Sequence, residues 1–440
     1  MKVALVNPPW TFGGSIYFGC REPHLPLEYG YSAALLRARG HEAEIFDAHL
    51  CGLSYAALRA EVGAFAPDVI VVTTAPSYLF WRCAPPELRA PQETLFELRE
   101  VPGLRVVVGP HASTTPRTAL RKLGADVAVL GECEEVLVEL VDTPRSSWAE
   151  LDSIAYVEDG RTRVQGSPRG CDLAKLPELA WNRDVLLRHG HHHHRFDRPP
   201  DGPGAEVEAT RGCPFHCTFC AKDQFRDGFR KRPLAKVCAE IDALLERGVT
   251  YLYFIDEIFV PDRALLDALT SRTVSFGVQL RIDHWTDEML DRLGAAGCVS
   301  IEAGVESVTP EGRRLLEKKC RPSTHEIAER LIHAKRRVPF VQANLLASQS
   351  DRPDEVQEFR DYLKAHGVWA NEPVPLFPYP GSPEYTLRFG PLDDRAWERA
   401  HEDYLARFES FSDLQSARPR PLGELELPNL SAYHRGLVAS

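Results

Sequence analysis

The chain is 440 residues long and carries a formal charge of −11, from 52 basic and 63 acidic side chains. That acidic balance argues against non-specific nucleic-acid binding, which rests on basic surface, and no stretch approaches the ~18 consecutive apolar residues of a membrane span. Hydrophobic residues at 44% and charged residues at 26% are those of an ordinary globular protein with room for two or three domains, and eleven cysteines without paired spacing fit a reducing, cytoplasmic setting.

The N-terminal run Val3-Ala-Leu-Val-Asn7 is too short for a signal peptide and reads as a buried strand ending in Pro8-Pro9-Trp10. A helix is expected over 28–39, stopped by Gly40, then a strand at 42–46, a helix at 55–65 and a strand at 68–73. After a long loop with a helical stretch come a strand at 105–108, a helix at 116–123, a strand at 125–130 and a helix at 134–141. Apolar strands alternating with helices predict an α/β domain with a doubly wound parallel sheet, flavodoxin-like in order. Such sheets bind ligands beyond the carboxyl ends of their strands. Those ends carry Pro8 and Trp10, then Thr73, Thr74, Ser77 and Tyr78, then Gly109 and His111, then Gly131 and Glu132. No G-x-G-x-x-G follows the first strand, so a dinucleotide is not expected. Pattern alone leaves a receiver-like or purely scaffolding domain open.

Residues 143–205 read as a connector. Within it, 154–164 is expected to form a β-hairpin about Asp159-Gly160. The run His189-Gly-His-His-His-His194 is conspicuous, because His-rich tracts bind transition metals, although an internal run without an evident partner is more often an exposed loop. Then come Cys213, Cys217 and Cys220 at C-x3-C-x2-C spacing. Iron–sulfur cubanes are usually held by four cysteines. Cys238 lies well downstream on a helix-like stretch, so three local thiolates would leave one iron open to bind a substrate. His216 could instead complete a zinc site of three cysteines and one histidine, and Cys217 with Cys220 could be a redox pair. Structural zinc sites usually draw ligands as two separated pairs, however, and a redox pair leaves Cys213 unexplained. The basic run of Arg226, Arg230, Lys231 and Arg232 reads as a solvated face.

The run Arg211-Gly-Cys-Pro-Phe-His-Cys-Thr-Phe-Cys220 resembles the signature of radical S-adenosylmethionine (SAM) enzymes, including the aromatic residue before the third cysteine. The resemblance implies a 4Fe-4S cluster on Cys213, Cys217 and Cys220, whose open iron chelates the amino and carboxylate groups of SAM before one-electron cleavage to a 5′-deoxyadenosyl radical. It also implies a partial TIM-type β/α barrel over 206–388. Within that span, helices are expected at 235–246, 263–269, 287–295 and 354–365, and strands at 251–255, 278–282, 298–307, 340–346 and 374–376. Asp256 and Glu257 follow the 251–255 strand and match the motif whose residues contact the SAM amino group; otherwise they cap the next helix. Gly304-Val-Glu306-Ser307 matches the motif that positions SAM. Arg281 offers a guanidinium for bidentate binding of a carboxylate, or else a surface ion pair with Asp283. Relatives often place a Gly-rich turn after the fifth strand, where this chain reads Asn344-Leu-Leu-Ala-Ser-Gln-Ser-Asp351.

Three N-terminal segments, Val3-Ala-Leu-Val-Asn-Pro-Pro9, Val106-Val-Val-Gly-Pro-His-Ala112 and Asp126-Val-Ala-Val-Leu-Gly-Glu132, are similar to the cobalamin-binding domain that precedes many radical SAM domains. Leu376-Phe-Pro-Tyr-Pro-Gly-Ser-Pro-Glu-Tyr385 resembles the closing element of that subfamily. This implies cobalamin over the strand ends of residues 1–142, touching the strand-end residues named above, with 73–82 passing under its lower face. Asp47-Ala-His49-Leu-Cys51-Gly52 matches the Asp-x-His-x-x-Gly string of cobalamin mutases but follows the second strand instead of the first. No histidine ligand is therefore expected, and His111 is expected as a loop contact. Residues 389–440 are expected to cap the substrate side. Together the resemblances imply a cobalamin-dependent radical SAM methyltransferase. It would act on an unactivated carbon of a small molecule or biosynthetic intermediate, with an external one-electron reductant of the flavodoxin or ferredoxin type. A non-methylating rearrangement, ring contraction or oxygenation would use the same cofactors. The non-enzymatic reading is a cofactor-binding sensor or zinc-stabilised scaffold.

Overall fold

The computed structural model describes residues 1–17, 23–76, 84–189, 202–222, 225–226, 228–408 and 417–428. Its first sheet has five parallel strands, β1 (Lys2–Asn7), β2 (Glu42–Asp47), β3 (Val69–Thr73), β4 (Leu104–Val108) and β5 (Val127–Val129), in the order β2-β1-β3-β4-β5. This is the flavodoxin-like order expected. Side chains alternate across a strand: Val3, Leu5, Val69, Val71, Val106 and Val108 join one buried cluster, while Ala4, Val6, Ile70, Val72 and Val107 join another. Helices Leu27–Ala38 and Cys133–Asp142 cover the first face, and Tyr55–Phe65 and Pro116–Leu123 the second. Burial on both faces is why these strands read as unbroken apolar runs.

The expected hairpin forms as β6 (Ile154–Glu158) and β7 (Arg161–Gln165), and it extends this sheet, with β6 antiparallel to β5. Asp159 and Gly160 both take positive φ, 49° and 72°, the geometry of a two-residue turn matched to strand twist.

The second sheet is parallel and follows chain order. Its strands are β8 (Gly204–Val207), then, beyond a short ribbon of β9 (Thr210–Arg211) and β10 (Arg230–Lys231), β11 (Tyr251–Phe254), β12 (Ser275–Leu280), β13 (Cys298–Glu306), β14 (Phe340–Leu345) and β15 (Trp369–Ala370). Helices Leu234–Glu246, Arg263–Thr270, Asp287–Ala295, Thr324–Lys335 and Pro353–Ala365 connect or flank its strands. Consecutive parallel strands with helical crossovers make an open β/α barrel segment, as expected.

Several elements differ from the sequence reading. The strand expected at 374–376 is a single bridge, Leu346 to Val374, because Pro373 and Pro375 have no N–H to donate; the sixth strand lies earlier, at β15. β12 begins three residues before its expected start and ends before Arg281. β8 was not expected, since Glu206 sits within it and Glu208 just beyond, yet both carboxylates are fully buried and paired.

The C-terminal helix Ala396–Arg407 returns to the first sheet. Trp397 stacks on His111 with ring centroids 3.9 Å apart, Asp394 accepts from Arg121 at 2.6 Å, and Lys122 pairs with Glu398 at 2.6 Å and Glu426 at 2.8 Å.

Gly131 ends the β5 segment with φ +84°, and a Cβ there would lie 2.3 Å from the Arg169 carbonyl oxygen. Replacing it with Ala is expected to cost at least about 2 kcal/mol of stability, read as a lower thermal midpoint by circular dichroism. An unchanged midpoint would show that the crossing chain can withdraw.

Candidate active site

The loop after β9 turns on Gly212, whose φ is +74° and whose position leaves no room for a Cβ, which would sit 2.2 Å from the Gly228 carbonyl. Its N–H is held by Glu257 at 2.8 Å. Farther along, Thr218 donates its N–H to Leu316 at 3.1 Å and accepts from Glu384 at 2.8 Å. With both ends anchored, Cys213, Cys217 and Cys220 line one cavity of about 290 Å³ at the carboxyl end of the second sheet. Phe215, Phe219, Glu257, Gln279, Arg281, Gly304, Glu306, Lys318, Asn344, Leu346, Phe377 and Tyr379 share that wall.

Burial pushes the Cys217 thiol up, while Lys318 and Arg281 draw it back toward the thiolate, the form that binds metal. Arg281 lies 3.9 Å from the Cys217 sulfur and over the Phe215 ring, 4.0 Å from its centroid. Asp283, at 2.7 Å, and the Lys318 carbonyl, at 2.6 Å, fix that guanidinium. Lys318 pairs with Glu306 and donates to the Gly304 carbonyl at 3.1 Å. Glu306 itself has φ +63°, at a register shift between β13 and β14. A non-glycine residue held there is costly, and such strain gathers at functional sites.

The thiols do not suit one zinc ion. Tetrahedral ligands at ~2.3 Å stand under ~4 Å apart. Among the described residues the only trio of His, Cys, Asp or Glu donor atoms within 4.8 Å of one another is Glu132, Glu134 and Cys171. His216 is exposed and absent from the cavity wall. The Glu132 trio already surrounds a cation, the Arg211 guanidinium, at 3.0 Å from Glu132, 2.7 Å from Glu134 and 3.0 Å from the Cys171 sulfur.

The structure redistributes several expected site residues. Glu257, Arg281, Gly304 and Glu306 line the cavity. Asp256, past the end of β11, does not; its carboxylate accepts from the Ala209 N–H at 2.9 Å and the Thr210 hydroxyl at 2.7 Å. Ser307 is also turned away, donating to Asp351 at 2.7 Å. The basic run is not a solvated face: Arg226 and Arg232 are buried, paired with Glu257 at 2.5 Å and Glu240 at 2.9 Å, whereas Lys231 is exposed. Lys318 was missed, since an isolated Lys-Lys-Cys carries no spacing signal.

At the first sheet, Pro8 and Trp10 follow β1, and the Trp10 indole donates to Asn7 at 2.8 Å. Asn7 in turn donates to Asp47 at 2.8 Å, and Asp47 caps the short helix Ala48–Cys51 through the Leu50 N–H at 2.9 Å. The Asp47–His49 string is thus an ordinary strand-to-helix turn. Thr73 donates to the Ala75 carbonyl at 2.8 Å, and the Thr74 hydroxyl is buried against Gly109, whose φ is +111°. His111 is buried with Nε2 3.3 Å from the Pro86 carbonyl; burial holds it neutral, down to about 3. Gly131 and Glu132 are not open strand ends, because residues 169–171 cross them: Glu132 donates its N–H to Arg169 at 2.8 Å and accepts from the Cys171 N–H at 2.8 Å. Ser77, Tyr78 and the His191–His194 run lie outside the described residues. His189, which precedes that run, is buried 3.2 Å from Glu206.

Burial pushes the Asp256 carboxyl from the ordinary 3.8 up to about 7. The folded chain therefore binds that proton more tightly, so its stabilising share is complete below the unfolded value and lost as pH rises through about 7. Asp256→Asn is expected to gain on the parent protein by about 1.4 kcal/mol per pH unit across that window, measured by urea unfolding over a pH series. Parallel curves would contradict it.

Residues 207–363 match the model of the radical SAM superfamily. An uncharacterized methyltransferase of Pyrococcus horikoshii, PH0819, is 27% identical over 332 residues, covering 72% of this chain and 67% of the relative. The anaerobic magnesium-protoporphyrin IX monomethyl ester cyclase of Cereibacter sphaeroides is 27% identical over 357 residues, covering 76% of this chain and 55% of that one, so the chain spans little more than half of that relative's length. Among solved structures, the radical SAM methyltransferase TsrM from Kitasatospora setae, described with cobalamin and a 4Fe-4S cluster bound, shares the fold: TM-score 0.66 at 20% identity, over 87% of this chain and 76% of that one. The matched segment, residues 207–363, holds all three loop cysteines and most of the cavity wall, and over that segment the chain is similar to the radical SAM superfamily.

Proposed function

We propose that this chain is a cobalamin-dependent radical SAM enzyme that transfers a methyl group to an unactivated carbon of a small-molecule substrate. The observation that carries the reading is the single cavity lined by Cys213, Cys217 and Cys220 at the carboxyl end of a parallel barrel sheet. The donor set fits a cubane with one open iron: three thiols too far apart for one small ion, with two cations beside the buried one. The first sheet fits a large polar cofactor as well. The Thr74 hydroxyl and His111 Nδ1, both buried at its strand ends, have no hydrogen-bond partner among the described residues, and such atoms call for one. Phe377, which lines the cavity, packs in one cluster with Ala75, just past β3.

When bound, the cluster with SAM supplies hydrogen-atom abstraction, and cobalamin supplies a transferable methyl group. The chain's own residues bind and orient. Arg281 and Lys318 present cations for the carboxylate of SAM, each steadied by its own acidic partner. Gly304 lets a ligand lie close to β13, where a Cβ would already meet Glu306 at 2.4 Å. Phe215, Phe219, Phe377 and Tyr379 keep water from a reactive centre. Electrons would come from an external donor of the flavodoxin or ferredoxin type. The resemblance to a cyclase supports a second reading, a non-methylating transformation with the same cofactors; product mass separates the two.

Anaerobic reconstitution with iron, sulfide and hydroxocobalamin is expected to give a cluster absorption band, stoichiometric cobalamin and dithionite-dependent 5′-deoxyadenosine. Cys217→Ala is expected to lose the band and to cut SAM cleavage by more than the roughly 100-fold that follows loss of a ligand's supporting partner. With methyl-labelled SAM the product should carry label. Colourless protein holding zinc would overturn the cluster reading, and an unlabelled product would favour the cyclase-like one.

A further inference from the structure

The ribbon β9–β10 sets Arg211 directly opposite Arg230. Like charges in that position repel, and the anion between them is Glu132, which comes from the other sheet. Its Oε2 accepts from Arg211 at 3.0 Å and from Arg230 at 3.1 Å, and Arg230 also grips Oε1. Arg226 stands 3.8 Å from Glu132 and 2.5 Å from Glu257, whose second oxygen holds the Gly212 N–H at 2.8 Å. Burial alone would push the Glu132 carboxyl up, but Arg211 and Arg230 hold it down at about 2. The Arg211–Gly212 peptide, which leads into Cys213, is thus tied, through two carboxylates and one guanidinium, to the end of β5.

We propose that Glu132 is a positioning residue for the cysteine loop: through Arg211 and Arg226 it makes the geometry of the Arg211–Gly212 peptide, which leads into Cys213, depend on the seating of the first sheet. The inference rests on the reading that the loop holds a cluster, and it adds a coupling between the two sheets that the cysteine spacing does not contain. Buried charge pairs of this kind are costly to break one partner at a time. Loss of Glu132's charge therefore leaves two facing guanidiniums and releases Arg226 from one of its anchors.

The test uses Glu132→Gln, which keeps shape and removes charge, in the full chain after reconstitution. Hydrogen exchange of a peptide spanning 209–222 is expected to quicken by at least about tenfold, the loss of one charge-assisted hydrogen bond, with peptides from β1 and β3 unmoved. The electron paramagnetic resonance spectrum of the reduced cluster should shift, with cobalamin content retained. Arg230→Gln, at the outermost and partly exposed member, should change both readouts in the same direction but less, and serves if Glu132→Gln does not fold. Adding Arg226→Gln to Glu132→Gln should quicken loop exchange by less than the sum of the two single effects. Exchange and spectrum identical to the parent protein would overturn the proposal, as would faster exchange spread evenly over the first sheet. If the parent protein takes up no cluster, the functional reading fails, while the exchange experiment still decides this one.

Discussion

A buried charge must find its counter-charge, and around the cysteine loop this requirement organises the molecule. Arg211, Arg226 and Arg232 are almost wholly removed from solvent, within reach of Glu132, Glu134, Glu208, Glu240 and Glu257. Glu132 and Glu134 follow the first sheet while the other three belong with the second, so the pairs of Glu132 and Glu134 with Arg211 form only when the sheets are docked. The cavity wall therefore depends on elements far from it in sequence. Apolar packing joins the sheets too, since Leu27 and Tyr31 of helix Leu27–Ala38 lie in the cluster that fills the second sheet.

A second tie runs over the opposite side. Helix Ala396–Arg407 starts beyond the segment that contributes Phe377 and Tyr379 to the cavity, then lays Trp397 on His111 at the end of β4. The strand ends of the first sheet and the mouth of the barrel are consequently held against one another, at a distance bridged by a single apolar cluster that includes Ile16, Ala75, Phe377 and Trp397.

Much of this was legible in the chain. The first sheet announced itself through runs such as Val69-Ile-Val-Val-Thr73, because strands buried on both faces carry no polar alternation. The Asp159-Gly160 turn and the cysteine spacing were equally local signals. What escaped was long-range. Nothing near Ser307 indicates that its hydroxyl belongs to Asp351, and nothing near Glu132 indicates Arg211, 79 residues away. β8 was hidden because a buried glutamate reads as polar until its partners, His24 and His189, are known. The helix Thr324–Lys335 could have been found from Ser323 and Glu326, which form a capping box.

The proposed chemistry requires Cys213, Cys217 and Cys220 to hold a cubane whose fourth iron is open. Mössbauer spectroscopy of the iron-57 reconstituted protein, with and without SAM, addresses that requirement directly. A four-iron cluster in which a single site changes its parameters on adding SAM is the result predicted. Spectra that are the same with and without SAM, or iron bound without a cubane signature, would contradict it.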